Sequence, residues 1–473
     1  MKSPIHPGRR TIRWLLAGIL AGLAGIVFWQ RPTQPPPPPL VETHWTFDEN
    51  DRILVLAPHP DDEVLGCGGV VQAALRQKKP VRIVYFTYGD NNEWAFLLYR
   101  RHPVLIPAAM RVMGEIRHRE ALAAGRLLGL SPGDQTFLGY PDFGTLAIWD
   151  RRWGTERPQR SMLTRVSRVP YSDAFRPGAS YKGEDILRDL EAIFREFKPT
   201  RVFVSHPADH HSDHRALYLF ARVALWELAA EMQPRLYPYL VHFKGWPRPL
   251  KYLPDAELTP PAFFGDRIAW QSYGLSPAEV ATKHRALEAH ASEVKSTPSL
   301  RAFVRRNELF GDFPPIRLPL ASTDTPADER ETFAEPSAEQ TFLTAEEQAW
   351  FVGIEERRIG LENGNLVVQV RLSRPLARAT ELAIQTYGFR PDRPFGEMPK
   401  LFIQVGDWSV RVRDQRRLLA PSTVSIERNG REITARIPLA ELGGPDRILT
   451  GVRTYWGSVP LDWAAWREID LTR

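Results

Sequence analysis

Short apolar runs, alternating with helix-patterned segments and ending in loops rich in histidine and aspartate, most constrain how this chain can fold. Arg52 to Leu56 (RILVL), Val81 to Phe86 (VRIVYF) and Arg201 to Ser205 (RVFVS) have strand length and strand composition. Thr136 to Leu138 reads as a further short strand. Helical spacing runs over Glu115 to Leu130, with a stop at Gly129, over Asp185 to Phe197 and over Arg215 to Glu231. Strands alternating with helices predict an α/β domain, with a Rossmann-like, mostly parallel sheet flanked by helices. In such sheets ligands bind beyond the carboxyl ends of the strands. The first run leads into Ala57-Pro58-His59-Pro60-Asp61-Asp62-Glu63, and the third leads into the loop from His206 to His214. Both clusters therefore fall where a site is expected.

The residue types point to metal-assisted hydrolysis. A catalytic zinc takes three protein ligands of histidine or carboxylate type and keeps one position open. It also needs a nearby base for a water proton. Two histidines and one aspartate drawn from two strand ends meet the first requirement, and a second aspartate meets the other. Either cluster alone also reads as turn formers and helix caps; their occurrence at equivalent strand ends favours a site. His210 and His206 stay open between site and packing. Cys67, the one cysteine, is expected as a small buried packing residue.

The motif Ala57 to Glu63 resembles the A-H-P-D-D-E signature of the PIG-L (LmbE-like) de-N-acetylases. His211-Ser212-Asp213-His214 resembles the second motif of that family, with Asp209 at the usual upstream position. Arg117 to Ala121, Phe137 to Asp142 (FLGYPD), Lys283 to Ser292 and Phe303 to Phe310 resemble its remaining helices and strand. The likeness covers about residues 48 to 315. It implies zinc ligation by His59, Asp62 and His214, with Asp61 as general base. It implies His211 as a stabiliser of the tetrahedral intermediate or proton donor, and Asp213 as the residue orienting a neighbouring histidine. Arg117, Asp90 and Asp142 are expected on the substrate side. Another divalent metal suits the same ligands.

The rest of the chain reads as accessory. Trp14 to Trp29 is an uncharged apolar run behind a basic flank, expected as a membrane anchor within residues 1–30, with the body outside the cytoplasm (periplasm or cell surface). A cleaved signal, leaving a secreted body, is the alternative. Residues 31–47 form a proline-rich tether, and 316–345 read as a second linker. Residues 346–473 alternate at period two and include Val424 to Ile437, a hairpin with an Asn-Gly turn. An antiparallel β-sandwich is expected there, with a weak resemblance to carbohydrate-binding, DOMON-like modules. Trp408, Tyr455, Trp456, Trp463 and Trp466 are candidates for sugar stacking or for core packing. The same two readings apply to the aromatic- and Arg-rich stretches 91–107 and 149–182, which include Trp94, Tyr99, Arg100, Arg101, Trp149, Trp153 and Tyr171.

Net charge is +6 over 473 residues. Five basic residues and no acid lie in the first 31 positions, so the body is close to neutral. That balance gives no support to nucleic-acid binding. The expected activity is a zinc-dependent de-N-acetylase acting on an N-acetylated amino sugar of a glycan or glycolipid. An amidase for another N-acyl small molecule and an inactive glycan-binding scaffold are the alternatives.

Overall fold

The computed structural model describes residues 40–43, 46–91, 106–264, 268–320, 328–333 and 343–472. The apolar run at 14–29, the proline run and the aromatic and arginine residues at 94–101 lie outside them. Among the described residues no helix is long and apolar enough to cross a membrane.

An eight-stranded sheet organises the first part of the chain. Its strands are β1 (Leu40–Thr43), β2 (Ile53–Ala57), β3 (Val81–Thr87), β4 (Gln135–Tyr140), β5 (Arg201–Ser205), β6 (Arg235–Tyr239), β7 (Trp270–Gly274) and β8 (Asn307–Gly311). They lie in the order β1-β7-β8-β6-β5-β2-β3-β4. The five strands β6-β5-β2-β3-β4 run parallel, and β8 is antiparallel to both of its neighbours. Both β2 and β5 are buried along their whole length. Burial on two faces is why these runs are apolar without alternation. The chain leaves β2 toward β3 and β4, then returns to β5 on the other side of β2. The crevice between the carboxyl ends of β2 and β5 is therefore the topological switch point of the sheet.

Helices α1 (Asp62–Arg76), α2 (Pro107–Leu128), α3 (Thr145–Arg151), α4 (Gly183–Phe197), α5 (Ser212–Glu227), α6 (Pro277–Ala289) and α7 (Ala291–Ser296) flank it. Helix α1 is packed from several sides. A Cβ at Gly66 would stand 2.4 Å from the Tyr239 ring, so only glycine allows that approach. Helix α2 starts eight residues before the expected Glu115, because Pro107 presets the first turn. It ends as expected at Gly129, which is left-handed at φ 102°.

The C-terminal part forms two further sheets. Strands β9 (Ile316–Pro319) and β10 (Asp328–Thr332) precede β11 (Ile354–Glu362), β12 (Asn365–Leu372), β13 (Thr380–Phe389), β14 (Lys400–Val405), β15 (Val410–Asp414), β16 (Arg417–Leu419), β17 (Ser425–Asn429), β18 (Glu432–Pro438), β19 (Arg447–Trp456) and β20 (Val459–Thr472). One sheet has the order β10-β11-β12-β18-β17, the other β16-β15-β14-β13-β19-β20-β9. The stretch 316–345, read from sequence as a linker, contributes β9 and β10 to these sheets. Its short strands sit among polar and proline-rich residues that mask them. The hairpin at 424–437 is present, but Asn429 pairs with Glu432, so Gly430 and Arg431 form its loop. Gly430, at φ 60°, takes the first central position.

The two parts share one core. Trp149 and Trp153 are fully buried. The Trp149 ring packs against Tyr387, Phe395 and Trp466 of the C-terminal part at 5.6–5.7 Å between centroids. Gln385 Nε2 donates to Asp150 Oδ1 at 2.9 Å, and the Phe395 N–H donates to Glu227 Oε1 at 2.7 Å.

Glu191 faces Glu227 beneath this contact. Burial, then the Glu227 carboxyl, pushes Glu191 up to about 7 from its ordinary 4.5. A raised folded value means that stability from this group is present near pH 4 and lost as the pH rises to about 7. Glu191→Gln removes that loss. In thermal melts the variant should gain on wild type between pH 4.5 and 7 and hold a constant lead above. A lead that does not widen over this range would show that the pair does not share a proton.

Candidate active site

The loop after β2 carries the first cluster. His59 is buried, and its Nδ1 lies 3.2 Å from Asp62 Oδ2. The backbone N–H of His59 donates to the same oxygen at 2.9 Å. Asp62 opens α1, where a carboxylate suits the helix N-terminus. Asp61 is the residue before it, held at φ 128° and ψ −28°. A non-glycine residue there carries backbone strain of about 1–3 kcal/mol, a cost that recurs at functional sites. Its N–H donates to Glu63 Oε2 at 2.9 Å, and Glu63 Oε1 is 2.8 Å from His290 Nε2.

The loop after β5 and the start of α5 carry the second cluster. His211 caps α5, its ring accepting the Asp213 N–H. His214 Nε2 is 3.1 Å from Asp62 Oδ2, and His214 Nδ1 is 3.1 Å from Asp209 Oδ2. Asp209 also accepts the N–H groups of His211, Val241 and His242 at 2.8–3.0 Å. Asp213 Oδ2 lies 3.3 Å from His59 Nε2 and accepts the Phe143 N–H at 2.6 Å. Asp213 Oδ1 accepts the Thr145 N–H and hydroxyl.

The structure thus brings His59, Asp62 and His214 together, with His211, Asp213 and Asp61 beside them. Asp142 joins directly, its Oδ1 3.2 Å from His59 Nε2. Asp90 is buried behind it and accepts the Tyr171 hydroxyl at 2.6 Å. Arg117 faces inward, but its guanidinium is committed to the loops. It donates to the carbonyls of Gly89 and Pro60 at 3.0 and 2.9 Å and pairs with Glu293 at 3.1 Å. It stands 3.8 Å from Asp61. His210 is half-buried with its ring stacked on Phe243, and His206 is buried against Trp270. Both lie in packing positions. Cys67 is buried on α1.

Sequence reasoning missed His242. It follows β6 within an apolar stretch, and its ring sits 4.7 Å from that of His214. Its signal was positional: β6 neighbours β5, so a histidine just past its carboxyl end belongs to the same edge. His290 also had no assigned role, and Glu63, by residue type a potential ligand or base, is paired with it.

Charge balance inside the site is uneven. Burial opposes charge on His59, but Asp142, Asp213 and Asp62 outweigh it and hold the imidazole well above its ordinary value. Burial opposes charge on His214 too, and Asp209 and Asp62 carry it up to about 9. Burial and then the neighbouring imidazoles hold His211 well below its ordinary value, and His242 at about 4. Burial and the charge of Asp62 push the Asp61 carboxyl up, with Arg117 opposing. Burial and Asp142 raise Asp90 to about 7.

The donor chemistry fits a divalent cation. The ring nitrogens of His59, His211 and His214 lie within 4.8 Å of one another, and Asp62, His214 and His242 form an overlapping set. A buried group of imidazoles and carboxylates without thiolate suits zinc and other first-row ions.

Comparison with known proteins places the site in a family. Residues 54–225 match the family described as PIG-L: GlcNAc-PI de-N-acetylase. The chain carries a domain of the PIG-L family. It is 25% identical over 275 residues to the 1D-myo-inositol 2-acetamido-2-deoxy-alpha-D-glucopyranoside deacetylase of Mycolicibacterium smegmatis, covering 55% of this chain and 86% of that protein. It is 38% identical over 93 residues to the 2'-N-acetylparomamine deacetylase of Streptomyces fradiae, covering 20% and 30%. A putative glucosamine-6-phosphate deaminase-like protein of Bacteroides thetaiotaomicron is 22% identical over 302 residues, and the chain spans 38% of its length. Among solved structures, the N,N'-diacetylchitobiose deacetylase of Pyrococcus horikoshii aligns at 19% identity and a TM-score of 0.33, covering 65% of this chain and 94% of that one.

Asp209 tests the assembly of the centre. An outer carboxylate that orients a ligating imidazole typically governs metal affinity by about 10- to 100-fold. Asp209→Asn should weaken zinc binding by that factor in competition with a chromophoric chelator. Unchanged affinity would remove His214 from the ligand set.

Proposed function

We propose that this chain is a metal-dependent hydrolase that removes the acetyl group from N-acetylated amino sugars. The observation that carries the reading is the placement of Asp61 next to the His59–Asp62–His214 group at the switch point of the sheet. The match of residues 54–225 to the PIG-L family, and the deacetylase relatives, support the same chemistry.

His59, Asp62 and His214 would hold the metal, with His211 or His242 within reach of the same position. Zinc, when bound, supplies a Lewis acid that polarises an amide carbonyl and acidifies water. Asp61 is the base that removes the water proton. A base in a buried, strained position with a raised carboxyl value suits that task. His211 stands beside His59, with ring centroids 4.5 Å apart, where an imidazole can donate to the developing oxyanion or to the departing amine. Asp213 fixes that region by holding Phe143 and Thr145. Asp142, and Asp90 behind it, line the side from which a sugar hydroxyl would be held. The amino sugar belongs to a glycan or glycolipid in this reading.

The test is acetate release from N-acetylglucosamine oligosaccharides by the full chain, as wild type and Asp61→Asn, with bound metal measured in both. The variant should keep its metal and lose about 10²- to 10⁴-fold in kcat. Undiminished turnover would remove Asp61 as the base. Metal without turnover in the wild type would move the substrate to another N-acyl compound.

A further inference from the structure

A cavity lies beside the loops of the site, walled by both parts of the chain. Its volume is about 210 Å³. Phe243, Phe264 and Phe313 line it from the α/β part, and Phe333 and Trp463 from the C-terminal sheets. The placement is close to the chemistry. Phe243 follows His242 directly and stacks on His210, the neighbour of His211, at 4.4 Å. The wall is therefore one residue away from two of the clustered histidines.

The walls state what such a space would hold. Aromatic side chains supplied by both parts of the chain favour a flat apolar group, through offset or edge contacts. An apolar cavity of about 150 Å³ is enough for benzene, so this one takes a single ring with a few further atoms. Charged side chains line it as well, and they have partners in the fold: Arg330 pairs with Glu356, Arg467 with Glu331, and Asp462 accepts the Ile354 N–H. The Trp463 Nε1–H is buried and has no acceptor among the described residues. A buried donor left unmet is costly, and a ligand oxygen would satisfy it. The Trp463 ring is fixed by the Arg215 guanidinium 3.8 Å from its centroid, so the indole is held in place.

We propose that this cavity binds an aromatic, ring-sized aglycone carried by the amino sugar, with Trp463 donating to an oxygen of that group. The C-terminal sheets thereby act as a wall of the substrate site and set specificity for what the sugar bears. The proposal rests on the deacetylase reading for its substrate, but the cavity can be tested without turnover.

The full chain is assayed on N-acetylglucosamine and on phenyl N-acetyl-β-glucosaminide, as wild type, Ala465→Phe and Trp463→Phe. Ala465 lines the cavity, so a phenyl group there fills it. Wild type should favour the phenyl glycoside in kcat/KM by roughly thirtyfold, mainly through KM, as expected for burying one ring. Ala465→Phe should bring that preference near unity and leave N-acetylglucosamine turnover unchanged. Trp463→Phe keeps an apolar wall without the donor, and should lower the preference by roughly three- to tenfold. A preference near unity in wild type, or one that survives both substitutions, overturns the proposal while leaving the deacetylase reading intact. If neither sugar is turned over, phenyl β-glucoside, which has no acetamide, is titrated by tryptophan fluorescence. Saturable binding that Ala465→Phe abolishes upholds the cavity, and absence of saturable binding overturns it.

Discussion

The burial of carboxylates and imidazoles against one another at the β2–β5 crevice is the constraint the rest of the structure answers to. An unpaired charge removed from water is costly enough to neutralise or to unfold its surroundings. Here three of the carboxylates are met within the fold. Asp209 collects three backbone N–H groups, Asp213 collects two and a hydroxyl, and Asp62 sits between two imidazoles. Asp61 is treated differently. Its backbone is strained and tied down through Glu63, while its carboxyl stands 3.8 Å from Arg117. The hydrogen bond to Glu63 holds the main chain of Asp61, while its carboxyl keeps only the longer approach to Arg117.

Those bonds reach well beyond the loop. Thr145, at the start of α3, holds Asp213, and Trp149, one turn further along, lies in the aromatic cluster shared with the C-terminal sheets. A single short helix thus links Asp213, beside the clustered histidines, to the packing of the other part of the chain. The C-terminal sheets are in this sense part of the scaffold of the site. Trp466 illustrates the point, since sugar stacking and core packing were both open for it in the sequence. It is 7% exposed and packs edge-on against Trp149. Trp408, at 94% exposed, is the opposite case.

The sequence carried the parts of the site set by local pattern. Strands β2 and β5 are legible because burial on both faces makes them continuously apolar, and their loops are legible because histidine and aspartate concentrate there. What stayed hidden depends on contacts distant in sequence. His242 joins His214 only because β6 lies next to β5, and Glu63 meets His290 across 227 positions. Strands β9 and β10 were masked for another reason. Four or five residues of strand flanked by proline, serine and acids look like linker until a neighbouring strand supplies their partners.

Arg117 shows how far geometry can separate two roles that one residue type fills. A guanidinium offers five donors in a fixed fork. Facing a cleft, that fork would grip substrate oxygens. Here Arg117 is 4% exposed and bridges Pro60 of the β2 loop, Gly89 after β3 and Glu293 of α7. Three segments far apart in the chain are drawn to one planar group directly behind Asp61. Lysine could carry the charge but not the three directions, so the position of the β2 loop depends on arginine in particular. Asp142, by contrast, turns its carboxylate to the His59 imidazole at 3.2 Å, on the other side of the same loop.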